Sequence, residues 1–158
     1  MKHIAAHFDR EASAYPTEIG EDHVQGRKWA LINTFAPEAG LAADIGSASG
    51  RHTLRLASRA LSVVAVDPSQ NMLATLSKGN ENPGLRGRIL PCAGALPRLP
   101  FGQGRFNLVY CFSTLLLLSR KDQETAVRDM ASLLAPGAFL ILDIAGSRSL
   151  AIRYWRHY

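Results

Sequence analysis

The sequence predicts an α/β fold, doubly wound around a mainly parallel sheet, and three observations predict it. Short apolar runs alternate with stretches of helical spacing along the chain. One of those runs, LSVVAV at 61–66, is β-branched and almost unbroken, as suits a strand covered on both faces. The first run passes through a glycine turn, LAADIGSASGR at 41–51, straight into a helical stretch. The chain has 158 residues, 47% hydrophobic and 20% charged, enough for one domain with a single core.

Each element follows from local pattern. Ile4, Phe8, Ala12 and Tyr15 fall at helical spacing, and Pro16 ends that helix. A second helix, over Glu18 to Phe35, carries Val24, Trp29, Leu31 and Ile32 and closes before Pro37. Leu41 to Ile45 reads as the first strand, Arg51 to Arg59 as a helix, and Leu61 to Val66 as the second strand. Ser69 is placed to cap a helix containing Met72, Leu73 and Leu76. A weaker strand lies around Arg88 to Leu90, followed by a proline-rich loop and a strand over Phe106 to Phe112. Ser119 and Asp122 have capping-box spacing before a helix bearing Val127, Met130, Leu133 and Leu134. Pro136-Gly137 breaks that helix, and Ala138 to Ile144 forms a fifth strand.

Composition narrows the partners. The opening residues are charged throughout and lack an apolar signal core, and no run nears the length of a membrane span. The expected setting is therefore cytoplasmic, with no membrane partner. Two cysteines without CxxC spacing predict neither a metal site nor a disulfide framework. The net charge of +5 admits an anionic partner, but the basic residues are scattered, so nucleic acid is possible without being favoured.

The glycine turn carries most of the functional signal. A dinucleotide turn wants G-x-G-x-x-G, yet those positions hold Gly46, Ala48 and Arg51. Asp44, just before the turn, would repel a diphosphate and attract a cation. Asp67 ends the next strand near the interval at which an acid meets ribose hydroxyls. A nucleoside ligand with a positive, phosphate-free tail satisfies both acids, and S-adenosylmethionine is such a ligand. The bland alternative has both acids merely capping turns.

In these motifs the chain resembles class I S-adenosylmethionine-dependent methyltransferases, in particular the quinone- and biotin-pathway group. The resemblance runs from about His7 to Ile144, through HFDREASAY, LAADIGSASGR, VVAVDPSQNML, LPRLPFGQGRFNLVYCFS and SLLAPGAFLILDI. It implies the Rossmann-like methyltransferase fold, with 1–36 as an N-terminal helical cap and 41–144 as the cofactor-binding core of a single domain, 1–158. It also implies a cofactor site: Asp44, Gly46, Ser47, Ala48 and Gly50 on the methionine side, Asp67 on the ribose, Pro68 and Met72 near the adenine. Cys111 would sit near the methyl group, Tyr15 would close over the cofactor as a lid, and a backbone carbonyl in the Pro91-Cys92-Ala93 segment would replace the family's adenine-binding acid. The family's turn has a middle glycine where this chain has Ala48, and its usual FD before the fourth strand is Phe106-Asn107 here. Its sheet usually has seven strands, of which five are read here, as if the last two were lacking.

Methyl transfer asks chiefly for orientation, and for a base only when the acceptor is a hydroxyl or an acidic carbon. His7, His23, His52 and Asp143 are the candidates, with His52 foremost by its place after the turn; no base is assigned. CFSTLLLLS after the fourth strand lacks the Asn/Asp-Pro-Pro-Tyr/Phe signature of enzymes that methylate DNA bases or glutamine. Leu115 to Leu118 reads as core or as a wall for an apolar acceptor. The RYWRHY terminus reads as a helix on the sheet edge, or as an RNA contact through Arg153 and Arg156. The expected activity is methyl transfer to a small organic acceptor. The alternatives are cofactor binding without turnover and an RNA methyltransferase. An exposed sheet edge makes a homodimer possible.

Overall fold

A computed structural model describes residues 2–59, 61–79, 81–144 and 146. Five strands, β1 (Leu41–Ile45), β2 (Ser62–Asp67), β3 (Ile89–Ala93), β4 (Phe106–Cys111) and β5 (Leu134–Leu142), form one sheet in the order β3-β2-β1-β4-β5. Every neighbouring pair is parallel. Strand order reverses at β1, so the chain leaves β1 and β4 on either side of a crevice at their carboxyl ends. Among the described residues the α-helices are α1 (Lys2–Glu11), α2 (His23–Phe35), α3 (Arg51–Ala57), α4 (Gln70–Gly79) and α5 (Arg120–Ser132).

Both faces of the sheet are covered, and the two-residue period of the strands sorts side chains between them. On one face Ala42, Val63, Ala65, Leu108 and Tyr110 pack with Ile32 of α2, Leu56 of α3 and Leu73 and Leu76 of α4. On the other, Ala43, Ile45, Val64, Val66, Val109 and Cys111 pack with Ala126 and Met130 of α5. The unbroken apolar run of β2 is thus explained: its alternate residues feed two separate cores.

Local chemistry shifts several boundaries from the expected ones. Helix α2 starts at His23 because the Asp22 carboxylate caps it, accepting from the Val24 and Gln25 amides at 2.8 and 3.1 Å. Strand β3 extends through Pro91, tolerated because it lies on the sheet's edge, where a missing amide costs no ladder bond. Strand β5 begins at Leu134, before Pro136 and Gly137, which fall where its register against β4 jumps between Phe106 and Leu108. An edge strand absorbs such an irregularity. The predicted caps form: Ser69 Oγ accepts from the Met72 amide at 3.1 Å, and Ser119 Oγ accepts from the Asp122 amide at 3.2 Å. Asn107 Oδ1 accepts from the Leu41 amide at 3.0 Å.

The N-terminal segment is latched over the end of β2. Asp9 Oδ1 accepts from Ser69 Oγ at 2.6 Å and from the Asn71 amide at 3.2 Å, which joins α1 to the start of α4. Ser49 Oγ donates to the Pro16 carbonyl at 2.5 Å. Among the described residues β5 pairs only with β4, and Phe139 on it stacks on Phe35 of α2 at 4.9 Å. No helix of the described residues is long and apolar enough to cross a membrane. The RYWRHY helix expected on the sheet edge, with Arg153 and Arg156, lies outside the described residues.

Candidate functional site

At the reversal of strand order the chain leaves β1 through a turn whose backbone is left-handed at Gly46, Ala48 and Gly50, with φ of 77°, 48° and 83°. The turn spends its amides on the protein. Gly46 and Ser47 both donate to the Val66 carbonyl, at 2.8 and 3.0 Å, and the Gly50 amide donates to the Ser47 carbonyl at 2.9 Å. The Ala48 amide donates to Asp67 Oδ2 at 2.9 Å. A phosphate cradle needs such amides free; these four are engaged.

Two buried acids stand on either side of this turn. Asp44 accepts from the Thr53 hydroxyl of α3 at 2.6 Å. Burial, with some help from the charge of Asp67, pushes its carboxyl up to about 7 against the pull of the Thr53 hydrogen bond. Asp67 accepts from the Ser69 amide at 2.9 Å through Oδ1, and burial raises it too, opposed by the Ser69 and Ala48 amides. Both carboxylates keep lone pairs beyond these bonds, since each can accept about four.

Between β1, β4 and the N-terminal segment lie two adjoining hollows, of about 660 and 430 Å³, which share Tyr15, Gly46, Ala48, Phe112 and Ser113 as walls. The larger runs over Asp67 and Pro68 and is closed by Ile4, Phe8, Leu96, Leu117 and Leu118. The smaller is polar, with Asp44, Ser47, Gln25, Lys28, Arg51 and His52 around it. Seven residues expected at the site thus line the cleft: Tyr15, Asp44, Gly46, Ser47, Ala48, Asp67 and Pro68. Tyr15 is held edge-on to Phe8 at 6.2 Å and lies 5.7 Å under the Arg51 guanidinium.

Four expected residues do not line it. Gly50 faces α4, where a Cβ would collide with Leu76, so its bareness serves helix packing. Met72, on α4, is fully buried and lines neither hollow. Ala93 pairs with Asp67 at the end of β3, and Gly94, Ala95 and Leu96 form the wall instead. Cys111 is wholly buried in the core with Val109, Ala126 and Met130, and burial pushes its thiol up to about 12. The cleft wall is one step on, at Phe112, Ser113 and Thr114. The leucine run divides: Leu115 enters the core, while Leu117 and Leu118 face the larger hollow.

Among the candidate bases, only His52 borders the cleft. Its Nε2 meets Gln25 Oε1 at 3.0 Å, and burial, with the nearby Arg51, Lys28 and Arg55 cations, lowers it to about 4. It is neutral at physiological pH and too weak a base to collect a proton there. Asp143 is tied to Lys28 Nζ at 2.8 Å, and His7 and His23 lie on α1 and at the start of α2, off the cleft walls. Lys28, Gln25, Thr53 and Ser113 were not foreseen. A lysine on a mixed helix carries no sequence mark of burial, and Thr53 is visible only once α3 lies against β1.

Comparison with known proteins follows the same lines. The family model described as a methyltransferase domain matches residues 42–137. Comparison with curated proteins gives no match. Among solved structures, the cyclase SpnF aligns over 80% of this chain and 47% of its own, at 21% identity and a TM-score of 0.69. A structure titled a putative S-adenosyl-L-methionine-dependent methyltransferase, from Methanococcus maripaludis, aligns over 99% of this chain and 69% of its own, at 21% identity and 0.67. The Haemonchus contortus phosphoethanolamine N-methyltransferase 1, solved with phosphoethanolamine and S-adenosylhomocysteine, aligns over 93% and 32%, at 18% identity and 0.76. This chain therefore spans about half the length of SpnF and a third of the Haemonchus protein. At these identities the likeness carries the fold and no substrate.

Proposed function

The chain belongs to the methyltransferase-domain family, with the Rossmann-like fold of class I S-adenosylmethionine-dependent enzymes, and on that premise we propose that it binds S-adenosylmethionine in this cleft and passes the methyl group to a small organic acceptor. The observation that carries the reading is the engagement of the turn's amides: Gly46, Ser47, Ala48 and Gly50 all donate within the protein. A ligand with a diphosphate at this place would find acceptors and acids, whereas a phosphate-free nucleoside with a cationic tail finds partners of the right sign.

The residues divide by hollow. Asp67 would take the ribose hydroxyls, with Pro68, Ala95 and Leu96 beside the base. Asp44, Gly46 and Ser47 would hold the amino-acid end, with Asp44 supplying the negative charge. The group so bound supplies a methyl on positively charged sulfur, an electrophile that a lone pair can take by in-line displacement. The protein's part is to orient, through Gly46 and the Phe112–Thr114 wall, and to keep water out with Tyr15, Phe8 and Ile4.

Asp44 is given over to the cofactor's cationic end, and His52, the one candidate base on the cleft walls, is held near 4. This favours an acceptor atom that is already nucleophilic, such as an amine or a thiolate, over an alcohol that must first lose a proton. Leu117, Leu118 and Ile4 favour an apolar body for that acceptor. Calorimetry with S-adenosylmethionine and S-adenosylhomocysteine tests the binding, and methyl transfer to a panel of amines and thiols tests the turnover. Binding without transfer to any acceptor would instead support a cofactor-binding protein, a reading favoured by the likeness in fold to a cyclase.

A further inference from the structure

Lys28 is nine-tenths buried, and it ties together three distant segments of the chain. Its Nζ donates to Ser113 Oγ at 2.8 Å, stands 2.8 Å from Asp143 Oδ2, and lies 5.2 Å over the Phe112 ring. The other carboxylate oxygen, Asp143 Oδ1, accepts from the Ser113 amide at 2.7 Å. The Asp143 amide in turn donates to the Cys111 carbonyl at 3.3 Å. Ser113 is thereby gripped at its amide and its hydroxyl by one ion pair.

The grip falls on a residue that needs one. Ser113 has φ of 55°, a left-handed backbone that an L-residue with a Cβ adopts at a cost. Its neighbour Thr114 is pressed on the glycine turn, so that a Cβ on Gly46 would collide with Thr114 Oγ1. Phe112 and Ser113 belong to both hollows of the cleft. The pair is half-buried, with the Lys28 side chain 11% and the Asp143 side chain 36% exposed; such a pair adds little stability, and its better-attested use is to select one conformation.

We infer that Lys28 is a positioning residue: with Asp143 it clamps Ser113 in the left-handed conformation and so sets the Phe112–Thr114 wall against the glycine turn. The inference rests on the proposed function only in its consequence, that this wall is where the methyl group and its acceptor meet. It also accounts for Asp143, which serves the clamp and is not held ready as a base. Left-handed Ser113 could not be foreseen from a sequence in which no glycine marks the bend.

The test uses the full chain and two readouts. Lys28→Met keeps the length and removes the charge; amide exchange at Ser113 should quicken by at least about ten-fold while Val109, inside β4, keeps its protection. Binding of S-adenosylhomocysteine should weaken by about ten-fold or more, and Ser113→Gly added to Lys28→Met should recover most of it, since glycine takes the left-handed backbone without a clamp. Equal quickening at Ser113 and Val109, or no quickening at either, overturns the clamp, as does a double variant no better than Lys28→Met. If the unaltered chain binds no adenosyl sulfur compound, the functional reading falls, and the exchange measurement still decides the clamp.

Discussion

Asp67 Oδ2 accepts the Ala48 amide at 2.9 Å, so the acid that ends β2 also holds the left-handed residue of the turn that leaves β1. Its Oδ1 takes the Ser69 amide, at the start of α4. One carboxylate thus joins two loops that border the larger hollow, which Asp67 itself lines.

Replacing Asp67 by alanine should therefore do two things. Cofactor affinity should fall by about 1.5–3 kcal/mol, the scale of hydrogen bonds to a charged group. Two amides would lose their acceptor in a buried place, so stability should fall as well, by about 1–3 kcal/mol. Asp67→Asn, which keeps one carbonyl acceptor, should sit between the two in both calorimetric affinity and urea midpoint. An unchanged affinity in Asp67→Ala would remove the ribose assignment.

Ala48 carries a side chain at φ of 48°, where the family's turn has glycine. Ala48→Gly should relieve that strain and raise the unfolding free energy by about 0.5–1 kcal/mol, the net of a steric cost near 1–2 and glycine's greater unfolded entropy. A rise in urea midpoint with an unchanged slope would show it. A loss of stability would mean that the Ala48 methyl packs usefully in the cleft wall.

The engaged amides predict selectivity among nucleotides. Nicotinamide dinucleotides should fail to compete with S-adenosylhomocysteine even at about a hundred-fold excess, a difference of at least about 2.7 kcal/mol in affinity. Displacement measured by calorimetric competition checks this. Strong competition by a dinucleotide would show that the turn can release its amides, and the sign argument would lose its basis.

How much of this was legible in the sequence depended on whether the signal was local. LSVVAV announces a strand covered on both faces, and Ser69 and Ser119 announce helix starts, because caps and alternation are properties of neighbours. The spacing of Asp44, Gly46 and Asp67 was legible for the same reason: it belongs to one β-turn-α-β unit. Cys111 lies in the core and the cleft wall begins one residue on, at Phe112, a difference finer than a strand end can be located from sequence. Lys28, Ser113 and Asp143 were invisible because their meeting is a product of the tertiary fold, across 85 residues in the case of Lys28 and Ser113.

Asp44 sets the last prediction, because burial has raised its carboxyl from 3.8 to about 7. The sign follows from linkage: a group whose folded value is raised binds its proton more tightly when folded, so its contribution favours folding below about 3.8 and is lost as pH rises through about 7. At 1.36 kcal/mol per pH unit, ionised Asp44 lowers stability by about 4 kcal/mol at alkaline pH. Asp44→Asn, which keeps an acceptor for Thr53 without the charge, should accordingly be more stable than the unaltered chain at about pH 8, with the difference shrinking to somewhat under half at about pH 5. Binding should run the other way. A cationic ligand draws Asp44 into its ionised form, so affinity for S-adenosylmethionine should rise between about pH 6 and 8, with a proton released on binding. Asp44→Asn should bind more weakly and show a flat profile over that range. Thermal melts and calorimetry in buffers of different ionisation enthalpy measure both sides. If Asp44→Asn destabilises the fold equally at both pH values, the residue matters for its hydrogen bond and its charge was never the cost. If its binding profile keeps the slope, the group that meets the cation lies elsewhere in the cleft.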